Sequence, residues 1–127
     1  MTTKDIELKD SGERITFAGG AMKEPSGTRA RFELVPWEVI RELAEHYARG
    51  ALKYADRNWE KGITIMTFMC SAFRHLEQFL RGETDEPHLI SALWHIAGAR
   101  WTLIRIADGS LPESLDDRPV YGRKDSK

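Results

Sequence analysis

The chain of 127 residues has a single cysteine, Cys70. That excludes an intramolecular disulfide framework and any zinc cage built on thiolates, and it favours a reducing compartment. The chain also lacks an excess of charge of either sign. Its 19 Lys and Arg are met by 20 Asp and Glu, for a net charge of −1, which leaves no one-sign field to hold a nucleic-acid backbone or an anionic membrane. No stretch approaches the roughly 20 apolar residues of a membrane span. The polar opening MTTKDIELKD has no apolar segment of the kind a secretory signal carries. The expectation is a soluble, cytoplasmic protein with no membrane partner and no dedicated nucleic-acid surface. Several catalytic signatures are missing as well: there is no GxxxxGK[ST] phosphate loop, no GxGxxG turn, no GxSxG elbow and no HExxH.

What is present is a globular composition, 41% hydrophobic and 31% charged, in a chain of one domain's length. Residues 1–31 are polar and broken by Gly19, Gly20 and the run Pro25, Ser26, Gly27. They read as an extended arm with one short β-like run, Arg14 to Phe17. Residues 32–109 read as the helical domain. A first helix starts near Pro36, with an apolar stripe through Trp37, Ile40, Leu43, Ala44, Tyr47, Ala51 and Tyr54 at three- and four-residue steps. Asp56 to Gly62 supplies turn chemistry. A second helix covers about Thr64 to Arg81, with Gly82 placed as a C-terminal cap. A third runs from about Pro87 to Ala107, with Asp85 or Glu86 as its N-cap. Leu89, Leu93, Trp94, Ile96, Ala97, Trp101, Leu103 and Ile104 nearly encircle this last helix. A helix apolar all round must be covered all round. Three helices in a small chain do not achieve that, so a homo-oligomer (dimer or tetramer) is expected. Residues 110–127 read as an irregular polar tail. The fold class is all-α, a small bundle of about three main helices.

The polar groups on these helices each admit two readings. Glu42 and Glu45 are one helical step apart, a spacing that suits a shared oxygen-liganded cation such as Mg²⁺ and equally suits ion pairs with Arg41 and Arg49. His75 lies on the stripe of the second helix. His88 and His95 share a face of the third, with Ser91 between them. Three inward imidazoles offer ligands or bases, or hydrogen-bonded core residues. Arg49, Lys53 and Arg57 are spaced by four, with Arg74 on the next helix, and form either a phosphate clamp or a solvated face. Trp59 can stack on a base, and Asn58 can read a base edge or cap the turn. Trp37, Trp94 and Trp101 read as core or interface.

Taken in order, FAGGAMKE at 17–24, RARFELVP at 29–36, ELAEHYARGALKYADRNWEKG at 42–62, RHLEQFLRGE at 74–83 and the run Asp85, Glu86, Pro87, His88, Leu89 resemble the phage-encoded dATP/dGTP diphosphohydrolase family. That family is distantly similar to the MazG-type all-α nucleotide pyrophosphohydrolases. The resemblance spans about residues 15–107. It implies metal-dependent hydrolysis of a (deoxy)nucleoside triphosphate to the monophosphate and pyrophosphate, in a bacterial or phage-infected cytoplasm. It implies Mg²⁺ or Mn²⁺ held by Glu42, Glu45 and Asp85. His75 and His88 are implied as catalytic groups, and Lys53, Asn58, Trp59 and Arg74 as the substrate side. Ser91 stands where relatives often carry a second His, and His95 where an Asn is common. A nucleotide-binding module without turnover and a helical interaction protein are the alternatives.

Overall fold

A computed structural model describes residues 12, 14–23 and 29–119. The chain divides into two units, Met1–Trp37 and Glu38–Lys127. In the first, β1 (Ile15–Thr16) pairs antiparallel with β2 (Met22–Lys23), Ile15 opposite Lys23 and Thr16 opposite Met22. The β-like run at Arg14 to Phe17 is thus one limb of a short hairpin. Its turn closes through Phe17 N–H donating to Ala21 O at 2.7 Å and Gly20 N–H to Phe17 O at 2.8 Å. Gly20 sits at φ +87°, which a side chain would resist. A 3₁₀ turn follows at Phe32–Leu34. The break expected at Pro25 to Gly27 lies outside the described residues, as do residues 1–11 of the arm and the tail beyond Pro119.

The second unit is helical: α1 (Trp37–Tyr54), α2 (Ile65–Leu80) and α3 (His88–Ala107). The described chain is helical apart from the small hairpin of the first unit, as the periodicity predicts. Thr64 caps α2 by accepting from Thr67 N–H at 3.3 Å, and Arg81 closes its far end ahead of Gly82 at φ +81°. The start of α3 differs from expectation. Its N-cap is Pro87, with no side-chain cap; Glu86 offers only its carbonyl, which accepts from His88 N–H at 2.8 Å. The Asp85 carboxylate goes to the His88 imidazole instead.

The core lies between α2 and α3. Phe68 is 1% exposed and packs with Ile65 and Ala99, flanked by Ile63, Met69, Trp94 and Leu103. The approach is close because α3 turns small residues inward: Ser91, Ala92, Gly98, Ala99 and Thr102 are buried. A Cβ at Gly98 would stand 2.5 Å from Phe68 Cε1, so this glycine is the hole that the phenyl ring fills. Thr102 satisfies its buried hydroxyl by donating to Gly98 O at 2.8 Å. The apolar residues that nearly encircle α3 are therefore not its main buried face, and Leu89 and Ile96 remain exposed.

The segment after α3 is more ordered than a polar tail suggests. Glu113–Leu115 forms a 3₁₀ turn, and Asp117 Oδ1 accepts from Met66 N–H at 2.9 Å. That carboxylate satisfies an orphan donor in the first turn of α2 and places negative charge at its positive end.

Candidate functional site

No residue of α1 is fully buried, although Leu43, Tyr47 and Ala51 of its stripe are half-buried. The helix ends in a turn that holds Ala55 at φ +111° and Arg57 at φ +56°, backbone that non-glycine residues rarely adopt. A 3₁₀ turn at Asn58–Lys61 follows. Between this side of the bundle and the α2–α3 pair lies a cavity of about 610 Å³. Its aromatic walls are Tyr47, Trp59, Phe68, Trp94 and His95. Tyr47 stands 5.7 Å from Trp59 and 5.8 Å from Trp94, centroid to centroid, and Trp101 backs Trp59 edge-on at 4.7 Å. Asn58, Thr67 and Ser71 add polar groups to the lining. The volume falls within the range of about 300–1,000 Å³ usual for small-molecule sites, and the planar walls suit a flat heteroaromatic ring.

Beside the cavity stand all four histidines of the chain. His75 and His88 face each other across α2 and α3 with Nδ1 atoms 2.9 Å apart, and His75 stacks on His95 at 5.4 Å. Neighbours fix the protons. Asp85 Oδ1, which only accepts, lies 2.8 Å from His88 Nε2, so that nitrogen donates. With His88 neutral, its Nδ1 accepts from His75 Nδ1–H, which leaves the lone pair of His75 on Nε2. On α1, Arg49 donates to His46 Nδ1 at 3.2 Å, so His46 Nε2–H donates to Ser91 Oγ at 3.4 Å. His95 donates from Nδ1 to Ser91 O at 2.6 Å. Burial lowers the pKa of His46, where the Arg49 charge adds to it, and of His75, where Glu86 opposes it. Burial also lowers that of His95, against the hydrogen bond to Ser91 O. The hydrogen bond from His88 holds the Asp85 carboxyl below its usual range. Burial thus favours the neutral form of His46, His75 and His95.

Residues 20–111 match the family described as dATP/dGTP diphosphohydrolase, N-terminal. The chain belongs to this family. No characterised protein and no solved structure is matched alongside it.

Within this member of the dATP/dGTP diphosphohydrolase family, the residues singled out by sequence fall in three places. Asn58 and Trp59 line the aromatic cavity. Arg74 borders a shallower hollow along α2 and donates to Ser71 Oγ at 3.0 Å, and Ser71 also lines the main cavity. Lys53 is exposed near the end of α1, its Nζ 5.2 Å over the Tyr54 ring. His75, His88 and Asp85 form one hydrogen-bonded chain. Glu42 and Glu45 are exposed on α1. Among the described residues, the group of acidic and imidazole side chains whose ligand atoms all lie within 4.8 Å of one another is Glu83, Asp85 and His88, without Glu42 or Glu45. Two carboxylates and one imidazole are a donor set that a divalent metal ion takes, so these three residues fit the cation the family resemblance implies.

Sequence reasoning did not show that Tyr47 and Trp94 would line the cavity, that His46 would reach Ser91, or that Glu83 would stand with Asp85 and His88. His46 and Tyr47 sit on a helix whose inward face is only half covered, and periodicity cannot separate a cavity wall from a core residue. Glu83 carried a signal: it lies two residues before Asp85 in a turn that must lead into His88.

Proposed function

We propose that this protein hydrolyses a purine deoxynucleoside triphosphate between the α and β phosphates, releasing the monophosphate and pyrophosphate. The observation that supports this reading best is the aromatic cavity opening against the histidine cluster, in a chain of the dATP/dGTP diphosphohydrolase family. His95 belongs to both, lining the cavity and stacking on His75. The base stacks among Trp59, Tyr47 and Trp94, and Asn58 hydrogen-bonds its edge. Arg74 and Lys53 offset phosphate charge as it develops on the leaving pyrophosphate. His75 presents the Nε2 lone pair to an attacking water, a role general bases fill with typical gains of about 10²–10⁴. Glu83, Asp85 and His88 would hold a divalent cation, Mg²⁺ or Mn²⁺ on the family resemblance, which when bound neutralises phosphate charge and makes a coordinated water more acidic.

Incubation with a panel of dNTPs and NTPs in Mg²⁺ or Mn²⁺, reading pyrophosphate release, tests the reading. Turnover of purine substrates with pyrophosphate as product is expected. Orthophosphate as the product refutes the site of cleavage, and nucleotide binding without turnover refutes the enzyme and leaves a binding module. Self-association belongs to the same proposal, because Phe73, Leu80, Leu89 and Ile96 remain exposed on the α2–α3 pair. A monomer by light scattering at micromolar concentration would remove it.

A further inference from the structure

His95 belongs both to the cavity wall and to the histidine cluster, and its two ring nitrogens are differently placed. Nδ1 lies 2.6 Å from Ser91 O, a carbonyl that only accepts, so Nδ1 carries the proton. The ring is held in that setting by its neighbours. His75 stacks on it at 5.4 Å, Trp94 meets it edge-on at 4.7 Å, and Phe68 stands at 6.4 Å. In a neutral imidazole with its proton on Nδ1, Nε2 has a lone pair and no hydrogen. Among the described residues Nε2 finds no hydrogen-bond partner, and it is not closed off by burial. The lone pair is therefore available to what the cavity holds. Tyr47, Asn58, Thr67 and Ser71 of the same lining can each donate or accept. Neutral His95 can only accept at the cavity.

A lone pair accepts from a donor and repels a phosphate oxygen, which has no hydrogen to give. The phosphates therefore do not belong against His95. On the hydrolase reading the base lies among Trp59, Tyr47 and Trp94, and the reacting phosphorus lies by His75. His95 touches Trp94 on one side and His75 on the other. The part of the nucleotide that reaches it is then the part joining base to phosphate, the sugar. We propose that His95 Nε2 accepts a hydrogen bond from the sugar 3′-hydroxyl of the bound nucleotide and so selects a sugar that carries it. A sugar without that hydroxyl leaves the nitrogen facing a group that cannot donate. The inference deepens the hydrolase reading and rests on its placement of the nucleotide. Its test measures binding rather than turnover, so that either can fail alone.

The test is calorimetry on the full chain with Mg²⁺ present, using the α,β-methylene analogues of 2′-deoxyadenosine and 2′,3′-dideoxyadenosine triphosphate. The parent should bind the deoxy analogue about 10- to 100-fold more tightly, the cost of leaving one polar group unsatisfied. His95→Phe keeps a planar ring against His75 and Trp94 but removes the acceptor. It should bind the two analogues alike, near the parent's affinity for the dideoxy compound. Nitrogen-resolved NMR of the parent gives a reading that needs no variant. The unprotonated Nε2 of His95 should move upfield with the deoxy analogue and much less with the dideoxy one. The proposal is overturned if the parent binds both analogues equally, if a folded His95→Phe keeps the parent's preference, or if His95 carries its proton on Nε2. A preference for the deoxy analogue in a chain that releases no pyrophosphate sinks the hydrolase reading and leaves this contact standing. Equal binding in a chain that does release pyrophosphate has the reverse effect. Binding of neither analogue removes the nucleotide, and this contact with it.

Discussion

The α2–α3 pair and the α1 side of the bundle use opposite solutions to the same problem of burying apolar surface. Between α2 and α3, small residues let the helices approach until Phe68 fills the hollow at Gly98, and the buried Thr102 hydroxyl is satisfied by Gly98 O. On the α1 side the half-buried residues are large and aromatic, and their mutual contacts at Tyr47, Trp59 and Trp94 leave a cavity of about 610 Å³ between them and the α2–α3 pair. Close packing gives a scaffold with fixed rotamers. Large planar groups around an open space leave room for a ligand that supplies the missing contacts. Stability is expected to rest on the α2–α3 contact and the proposed recognition on the cavity, with Phe68 and Trp94 shared by both.

The largest effect is expected in the scaffold. Phe68→Ala should cost about 3–5 kcal/mol in denaturant unfolding, and Gly98→Ala about 1–3 kcal/mol, because the added methyl meets the phenyl ring. A loss below 1 kcal/mol for Phe68→Ala would show that the core lies elsewhere. On the recognition side, Arg74→Ala should weaken nucleotide binding by about 1.5–3 kcal/mol if it makes a charged hydrogen bond to phosphate. Unchanged affinity in calorimetry returns Arg74 to a solvated face. Trp59→Ala should remove about 1–3 kcal/mol of base stacking from the affinity for a non-hydrolysable purine nucleotide. Its unfolding free energy should fall by less than that of Phe68→Ala. If the two variants lose stability equally, the contrast between the halves is gone.

Acid should act on the cavity side. His46 and His95 have folded pKa values held below the ordinary 6.5, chiefly by burial. The unfolded chain therefore takes up protons first as pH falls. Their contribution to stability is complete above about pH 6.5 and declines below it, as the folded state resists protonation. Melting temperature measured from pH 8 to pH 5 should fall across the lower half of that range, and His95→Asn should flatten the slope. A melting temperature that rises toward pH 5 would reverse the assignment of neutral imidazoles.

The smallest effect sharpens the boundary of the scaffold. Asp117→Ala removes the acceptor from Met66 N–H at the start of α2, a cap-like loss of about 0.5–2 kcal/mol. A melting temperature equal to the parent's would mean that the segment after α3 rests on the bundle without supporting it.

The three helices were legible because their signals are local. A three- and four-residue apolar period, Thr64 ahead of a run and Gly82 behind it are written in adjacent residues, and the helices begin and end within a residue or two of those marks. The strand at Ile15–Thr16 was equally local. Pairings set by distance were not. Asp85 read as a helix cap although His88 is only three residues on; what spacing did not show is that the His88 ring is held against α2 by His75, thirteen residues away, with its other nitrogen on Asp85. Glu42 and Glu45 share a helical step on α1, whereas the acidic and imidazole groups that the fold brings within 4.8 Å of one another are Glu83, Asp85 and His88, in the turn after α2. Trp94 read as core or interface, and it does flank Phe68; that it also walls a cavity was not legible, because periodicity records that a residue faces inward, not whether anything fills the space it faces. The sequence by itself determined the helices, their ends and the family. The tertiary structure decided which inward faces close on each other and which enclose a cavity, because that depends on side-chain volume summed across helices that are distant in the chain.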